Sequence, residues 1–384
     1  MINQKDYEVI VVGAGPAGSC AALALAREGV KVAVIDRAQL PRQKTCAGGI
    51  VHRALRHMPI DIRSVVDRKC FTVQFNLPAS SLCFSISRDQ PIISMTMRDK
   101  FDHLLVSEAQ KAGAKIMPAC EVFDLRQGPN SIVLETARGR HKARFVIGAD
   151  GALSRVARSG GWQETRQMIP ALECRVGVDD RMLDRFSQAA RFDFDLIPDG
   201  YAWAFPKKDH LSIGIVRIGR QSSRLHDAVT RYAARLGIES SAKLKPRGFL
   251  IPISPRKDGL IKGRILLVGD AAGLADPITA EGIFSAVLSG QIAAEALIGG
   301  GFETESVKER FHREMNRQIL RDLKSGRLAG NFFYRYPKVR NRVFRRFGEE
   351  LTEAMARVAM GEITYEAVMK SPLNYLKLLS VWKS

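Results

Sequence analysis

Apolar positions along the chain follow two alternating periods. Tyr7 to Val12 is apolar except at Glu8 and runs directly into glycines, which predicts a strand buried inside a sheet. The alanine-rich stretch Pro16 to Glu28, with proline near its first turn, predicts a helix, and Lys31 to Ile35 predicts a second strand. After about residue 69 the runs shorten to the strand-like Phe71–Phe75 and Leu82–Ile86, and helical spacing returns over Lys100–Ala112. Ile132–Leu134 and Arg144–Ile147 predict strands that rejoin the first unit, and a further β-rich stretch covers 171–253. Gly263–Val268 predicts a last buried strand feeding a long helix from Ile278 to Leu297. The chain shows no internal repeat and no low-complexity segment.

A length of 384 residues suits two units and a terminal extension. The pattern places a discontinuous α/β unit at 1–68, 96–165 and 256–309, a β-rich unit at 69–95 and 166–255, and a helical region at 310–384. With 46% hydrophobic and 26% charged residues, disordered and fibrous classes are excluded. Six cysteines are scattered at positions 20, 46, 70, 83, 120 and 174, without disulfide density or paired metal-ligand spacing. No metal is expected, and the setting expected is reducing and cytoplasmic. A first strand starting by Tyr7 leaves no room for a signal peptide, and no run approaches the ~18 apolar residues of a membrane span.

The strand–helix–strand opening gives chemical meaning to Gly13-Ala14-Gly15-Pro16-Ala17-Gly18. In such a turn Gly13 permits the tight bend, Gly15 lets backbone approach a pyrophosphate, and Gly18 allows close packing of helix on sheet. The helix amino end, with unpaired N–H groups and the positive end of its dipole, is an anion site. Asp36, ending the second strand, is placed to accept from an adenosine ribose, and its charge disfavours a 2′-phosphate, so FAD or NAD is expected over NADP.

Two later segments have the same strand-to-turn placement, Gly148-Ala149-Asp150-Gly151 and Gly269-Asp270-Ala271-Ala272-Gly273, with Asp276-Pro277 ahead of the long helix. With these the chain resembles the FAD-dependent oxidoreductases of the aromatic-hydroxylase type. The resemblance implies a Rossmann-like FAD-binding domain with an inserted antiparallel-β substrate domain and a helical C-terminal region. It implies FAD as cofactor, contacted by Gly13, Ala14, Gly15, Ala17, Gly18, Asp36, Arg37, Arg98, Asp150, Gly269, Asp270, Gly282 and Ile283. Asp270 is implied at the ribityl and pyrophosphate region. The long helix points its amino end at the flavin, where Gly282 and Ile283 are backbone donors to the charge left by two-electron reduction. Arg98, ahead of Phe101-Asp102, matches a family arginine near the cofactor and reads by itself as a solvated helix-start residue.

Tyr201, Trp203 and Phe205 alternate on one face of a strand in Pro198-Asp199-Gly200-Tyr201-Ala202-Trp203-Ala204-Phe205-Pro206, a pattern open to two readings, core and substrate wall. The segment resembles the P-x-x-Y-x-W-x-F-P signature of the geranylgeranyl reductase family, where it lines the pocket for an isoprenoid chain. Lys44-Thr45-Cys46-Ala47-Gly48-Gly49 resembles that family's cysteine-glycine run, with Ala47 where glycine is more common. The implied reaction is saturation of C=C bonds in a polyprenyl chain, with Cys46, Tyr201 or an ordered water as proton donor; by itself Cys46 reads more readily as an inert, half-buried thiol. The alternatives are an FAD-dependent monooxygenase or halogenase-like enzyme and, in another class, a non-catalytic flavin-bound peripheral membrane protein.

No second glycine fingerprint follows the first, so the electrons are expected from transiently docked NAD(P)H or from a reduced ferredoxin-like carrier. The net charge of +19 suits an acidic carrier. From Arg310 to Arg346 twelve Lys and Arg stand against Glu314 and Asp322, a local +10. Arg310, Arg313, Arg317, Arg321 and Lys324 recur at helical spacing, predicting a basic amphipathic helix. It reads as a solvated helix docked by its apolar side or as a contact to an anionic membrane surface; without a recognised module, nucleic acid is not an expected partner.

Overall fold

A computed structural model describes residues 5–197, 199–219, 225–238 and 244–370. Pro198, which heads the aromatic signature, and residues 371–384 of the basic region lie outside the described residues. The fold is mixed α/β, with a largely parallel first sheet flanked by helices, a second, largely antiparallel sheet and a helical C-terminal region.

Lys5–Val12 pairs in parallel with Val32–Ile35 on one side and Gly139–Gly148 on the other. A central parallel strand is covered on both faces, which is why Val9 to Val12 carries no polar side chain. Lys115–Met117 and Ile265–Leu267 extend the sheet, and Val122–Gln127 and Ile132–Thr136 form an antiparallel hairpin beside it. Helix Pro16–Arg27 packs against Arg98–Lys111 and Ile283–Gly299. The crossing with the latter is at backbone contact, because a Cβ at Gly290 would stand 2.1 Å from the Ala17 carbonyl oxygen.

The second sheet has seven strands, and its sole parallel pair, Ala189–Phe194 with Thr72–Leu77, joins stretches more than 100 residues apart. One face carries Phe75, Phe192, Tyr201 and Trp203 toward the first unit; the other buries Ala202, Ala204 and Ile213. Two helices, Asp180–Phe186 and Leu225–Arg235, cover that outer face within a stretch that reads as β-rich throughout. A small sheet of Gly49–Val51, Ile93–Thr96 and Val66–Cys70 has no counterpart in the sequence reading.

The long helix begins at Ile283, not Ile278. Asp276 Oδ1 accepts the N–H groups of Ile278 and Thr279, both at 2.9 Å, and Ala280 adopts φ 55°, so residues 276–282 form a side-chain-closed turn. In the basic region Thr304–Met315 continues through a π turn at Asn316–Leu320 into Arg321–Arg335. Phe311, Met315, Ile319 and Leu323 anchor it in the core of the nucleotide fold. Pro337–Met360 follows, kinked at Phe347, and crosses the second sheet. Among the described residues no helix is long and apolar enough to cross a membrane.

Candidate active site

The first strand ends in a turn at Gly13, φ 109°, whose N–H donates to Ile35 O at 2.7 Å. A Cβ on Gly13 would lie 2.3 Å from Ala149 O, and one on Gly18 would lie 1.9 Å from Gly13 O, so backbone contact demands glycine at both. Gly15 is the N-cap of Pro16–Arg27 and makes no side-chain cap, which leaves the helix's first N–H groups for a ligand. Asp36 is oriented by this turn: its carboxylate accepts from Ala14 N and Ala38 N, each at 2.8 Å, with Arg42 Nε 3.6 Å away.

These segments open on one cavity of about 650 Å³. Of the residues expected around a cofactor, Gly13, Gly15, Ala17, Asp36, Arg37, Arg98, Asp150, Gly269, Asp270, Gly282 and Ile283 line it. Ala14 and Gly18 do not; they lie beneath the lining, one bonded to Asp36 and the other against Gly13. Arg98 is buried and held by both carboxylate oxygens of Asp102 at 2.8 Å, so the solvated reading of this residue is set aside. Asp150 lines the cavity with its oxygens already engaged, by Ser154 Oγ at 2.5 Å, Arg155 N at 2.6 Å and Val156 N at 3.0 Å. Burial pushes the Asp270 carboxyl up, with Lys44 the leading opposing charge.

The donor set fits FAD. Arg42 Nη2 stands beside Gly15, while its buried Nη1, without a hydrogen-bond partner among the described residues, lies 3.2 Å from the Asp102 carboxylate. A guanidinium held next to a helix amino end suits a diphosphate. The sequence reading missed Arg42, since its neighbours Asp36 and Asp102 come from different elements. Lys44 lies 3.0 Å from the Phe249 ring centre, and burial pushes its ammonium down to about 8.

Arg53 was also invisible, because its partners are more than 220 residues away: Nη2 lies 3.2 Å from Asp276 Oδ2 and 3.6 Å from Glu281 Oε2. Glu281 in turn accepts Phe284 N at 2.8 Å and so caps the long helix just after Gly282. Burial pushes the Glu281 carboxyl up against the pull of Arg53.

Tyr201, Trp203 and Phe205 are both core and cavity wall. Phe192 packs 5.8 Å from the Tyr201 ring and 5.3 Å from Phe205, and Trp203 lies across Gly214, where a Cβ would come within 2.2 Å of the indole. Tyr201 donates its hydroxyl to Thr279 O, and burial pushes its pKa up, so this phenol keeps its proton. Cys46 is half-buried on the facing loop and accepts Gly48 N at 3.4 Å. Lys207 clamps that loop, donating to Gly48 O at 3.2 Å and Thr96 O at 2.9 Å. Met355 and Ala359 of the last long helix also line the cavity, a role hidden behind that region's charge pattern.

Residues 6–199 match the FAD binding domain family. The chain is similar to the chloroplastic geranylgeranyl diphosphate reductase of Oryza sativa subsp. japonica, 30% identical over 97% of this chain and 85% of the relative. It is likewise similar to digeranylgeranylglycerophospholipid reductase 3 of Methanosphaera stadtmanae, 29% identical over 99% of this chain and all of the relative (100%). Among solved structures, a geranylgeranyl bacteriochlorophyll reductase-like protein from Thermoplasma acidophilum shares the fold, with a TM-score of 0.76 at 22% identity over 98% of this chain and 96% of that one.

Proposed function

The chain belongs to the geranylgeranyl reductase family of FAD-dependent oxidoreductases, and from that premise we propose that it saturates carbon–carbon double bonds in the polyprenyl chain of a lipid. One observation carries the reading: the same cavity is lined by Gly13, Asp270 and Gly282 and by the apolar Val73, Phe75, Phe192, Trp203 and Met355. An extended hydrocarbon fits such a lining, and a small polar substrate does not.

Bound FAD, once reduced, supplies a hydride. The protein's share is to hold the alkene in a dry slot and to deliver a proton to the other carbon. An isolated alkene is a poor hydride acceptor, so the proton must arrive with or before the hydride. Cys46 is better placed for this than Tyr201, whose hydroxyl is committed to Thr279 O. Gly282 and Ile283, at the amino end of the long helix, line the cavity and would face the flavin, and Arg42 would hold the diphosphate. NAD(P)H or a reduced ferredoxin-like carrier provides the electrons, and the basic C-terminal region contacts the membrane in which the lipid resides.

The test is anaerobic incubation of the dithionite-reduced holoprotein with geranylgeranyl diphosphate and with a geranylgeranyl glycerophospholipid, read by mass spectrometry. Each reduced bond adds two hydrogens, about two mass units. Absence of any gain with both lipids, together with oxygen-dependent oxidation or halogenation of a substrate, overturns the reading. Cys46→Ala is expected to lower turnover roughly 100-fold or more, the scale of a lost general acid; an unchanged rate removes Cys46 from the mechanism.

A further inference from the structure

Leu328, Phe332 and Tyr336 are 59%, 40% and 48% exposed. The other large exposed apolar side chains among the described residues sit singly on separate segments, which is ordinary for a protein surface. These three instead recur every fourth residue along Arg321–Arg335 and its C-cap. At about 100° per residue, Arg321, Lys324, Leu328, Phe332 and Arg335 fall within an arc of about 80°. Leu323, Gly326, Gly330 and Tyr334 occupy the opposite, buried side. The solvent face of this helix is therefore an apolar row flanked by cations.

The surrounding charges reinforce the pattern. Lys338 and Arg342, exposed on the next helix, add to the positive field. Asp322, the helix's one acid, is half-buried and turned to accept Glu366 N at 3.1 Å. Glu366 itself is paired with Lys370 at 2.6 Å. The Phe332 and Tyr336 rings lie 5.8 Å apart, with the Arg335 guanidinium 5.9 Å from the Tyr336 ring, so aromatic and basic groups form one surface.

The inner side of the same helix reaches the aromatic wall of the cavity. Phe333 packs 5.2 Å from Phe194, which lies 5.7 Å from Tyr201, and the Tyr334 hydroxyl donates to Ile278 O at 2.6 Å. We infer that the outer face of Arg321–Arg335 docks on an anionic bilayer, with Leu328, Phe332 and Tyr336 entering the acyl boundary and Arg321, Lys324 and Arg335 resting among phosphates. Cations alone would suit nucleic acid or an acidic protein; an apolar row set between cations matches the layered apolar and anionic chemistry of a bilayer surface. The docking rests on the lipid-substrate reading for its purpose, while the surface that carries it is independent of flavin chemistry.

Flotation of the FAD-loaded full chain with vesicles tests it. Binding is expected to vesicles of phosphatidylcholine plus phosphatidylglycerol and not to phosphatidylcholine alone. Lys324→Gln with Arg335→Gln is expected to weaken partition roughly thirtyfold, from about 1 kcal/mol per basic side chain and a tenfold change per ~1.4 kcal/mol. The triple variant Leu328→Ser, Phe332→Ser, Tyr336→Ser is expected to lose about tenfold or more while keeping its flavin absorbance and melting temperature, since all three side chains are exposed. A wild type that stays with neither vesicle, a triple variant that floats like wild type, or a wild type that leaves anionic vesicles for duplex DNA overturns the docking. Anaerobic reduction of a detergent-solubilised geranylgeranyl lipid separates the two claims. Turnover there without vesicle binding sinks only the docking, and vesicle binding without turnover sinks only the reductase reading.

Discussion

Lys207 illustrates how far one residue's chemistry depends on what surrounds it. It follows the aromatic strand, is 1% exposed, and its ammonium has, among the described residues, the Gly48 and Thr96 carbonyls as hydrogen-bond partners. Burial pushes its ammonium down from an ordinary 10.5 to about 8. Between these two values the unfolded chain holds a proton that the folded chain has released, so stability rises with pH across that window and is level below it. The unfolding free energy of wild type relative to Lys207→Met is therefore expected to increase between pH ~8 and ~10.5 by on the order of 3 kcal/mol. Urea denaturation at several pH values measures this, and a difference that stays constant across the window contradicts it. As the clamp on the Cys46 loop, Lys207 links this titration to the cavity wall.

At the level of elements, the strand–turn–helix opening works because its backbones touch. Gly18→Ala would set a methyl group 1.9 Å from Gly13 O, forcing the helix away from the turn proposed to receive the diphosphate. Flavin content and FAD affinity are expected to fall tenfold or more, at least ~1.4 kcal/mol. Gly29→Ala is the control: Gly29 also has positive φ, 72°, but nothing within 4 Å of its Cβ position. It is expected to lose about 1 kcal/mol of stability and keep its flavin. Equal flavin loss in the two variants, measured by absorbance after desalting, would mean that general destabilisation is the cause. The long helix makes a related point. Its start moved from Ile278 to Ile283 because Asp276 and Glu281 cap the intervening turn, and no periodicity of apolar residues records a cap.

For the whole molecule the dominant quantity is a net charge of +19, more than half of it between Arg310 and Arg346. An acidic ferredoxin is expected to reduce the flavin at a rate that falls about tenfold or more as salt rises through the range in which the screening length shrinks from ~10 Å to ~3 Å. Stopped-flow reduction over that salt series measures it, with dithionite as the reference. A flat rate would exclude electrostatic steering of the carrier and favour a nicotinamide donor. The C-terminal helices contribute beyond charge, since Met355 and Ala359 line the cavity while Leu328, Phe332 and Tyr336 face solvent.

The sequence by itself determined the nucleotide fold and a preference for FAD or NAD, because those requirements are local: a buried strand, glycines where backbones must touch, an acid at the end of the next strand; FAD itself is read from the resemblance that the segments at 148–151 and 269–273 complete. It also carried the aromatic strand, whose alternation places Tyr201, Trp203 and Phe205 on one face whatever lies opposite. Tertiary structure alone decided what each polar residue does. Asp150 spends its oxygens on its own loop, Tyr201 donates its hydroxyl to the Thr279 carbonyl, and Arg53 and Arg42 acquire partners from distant segments. Such pairings depend on which surfaces the packed helices and sheets bring within ~3 Å, a distance that periodicity along the chain does not encode.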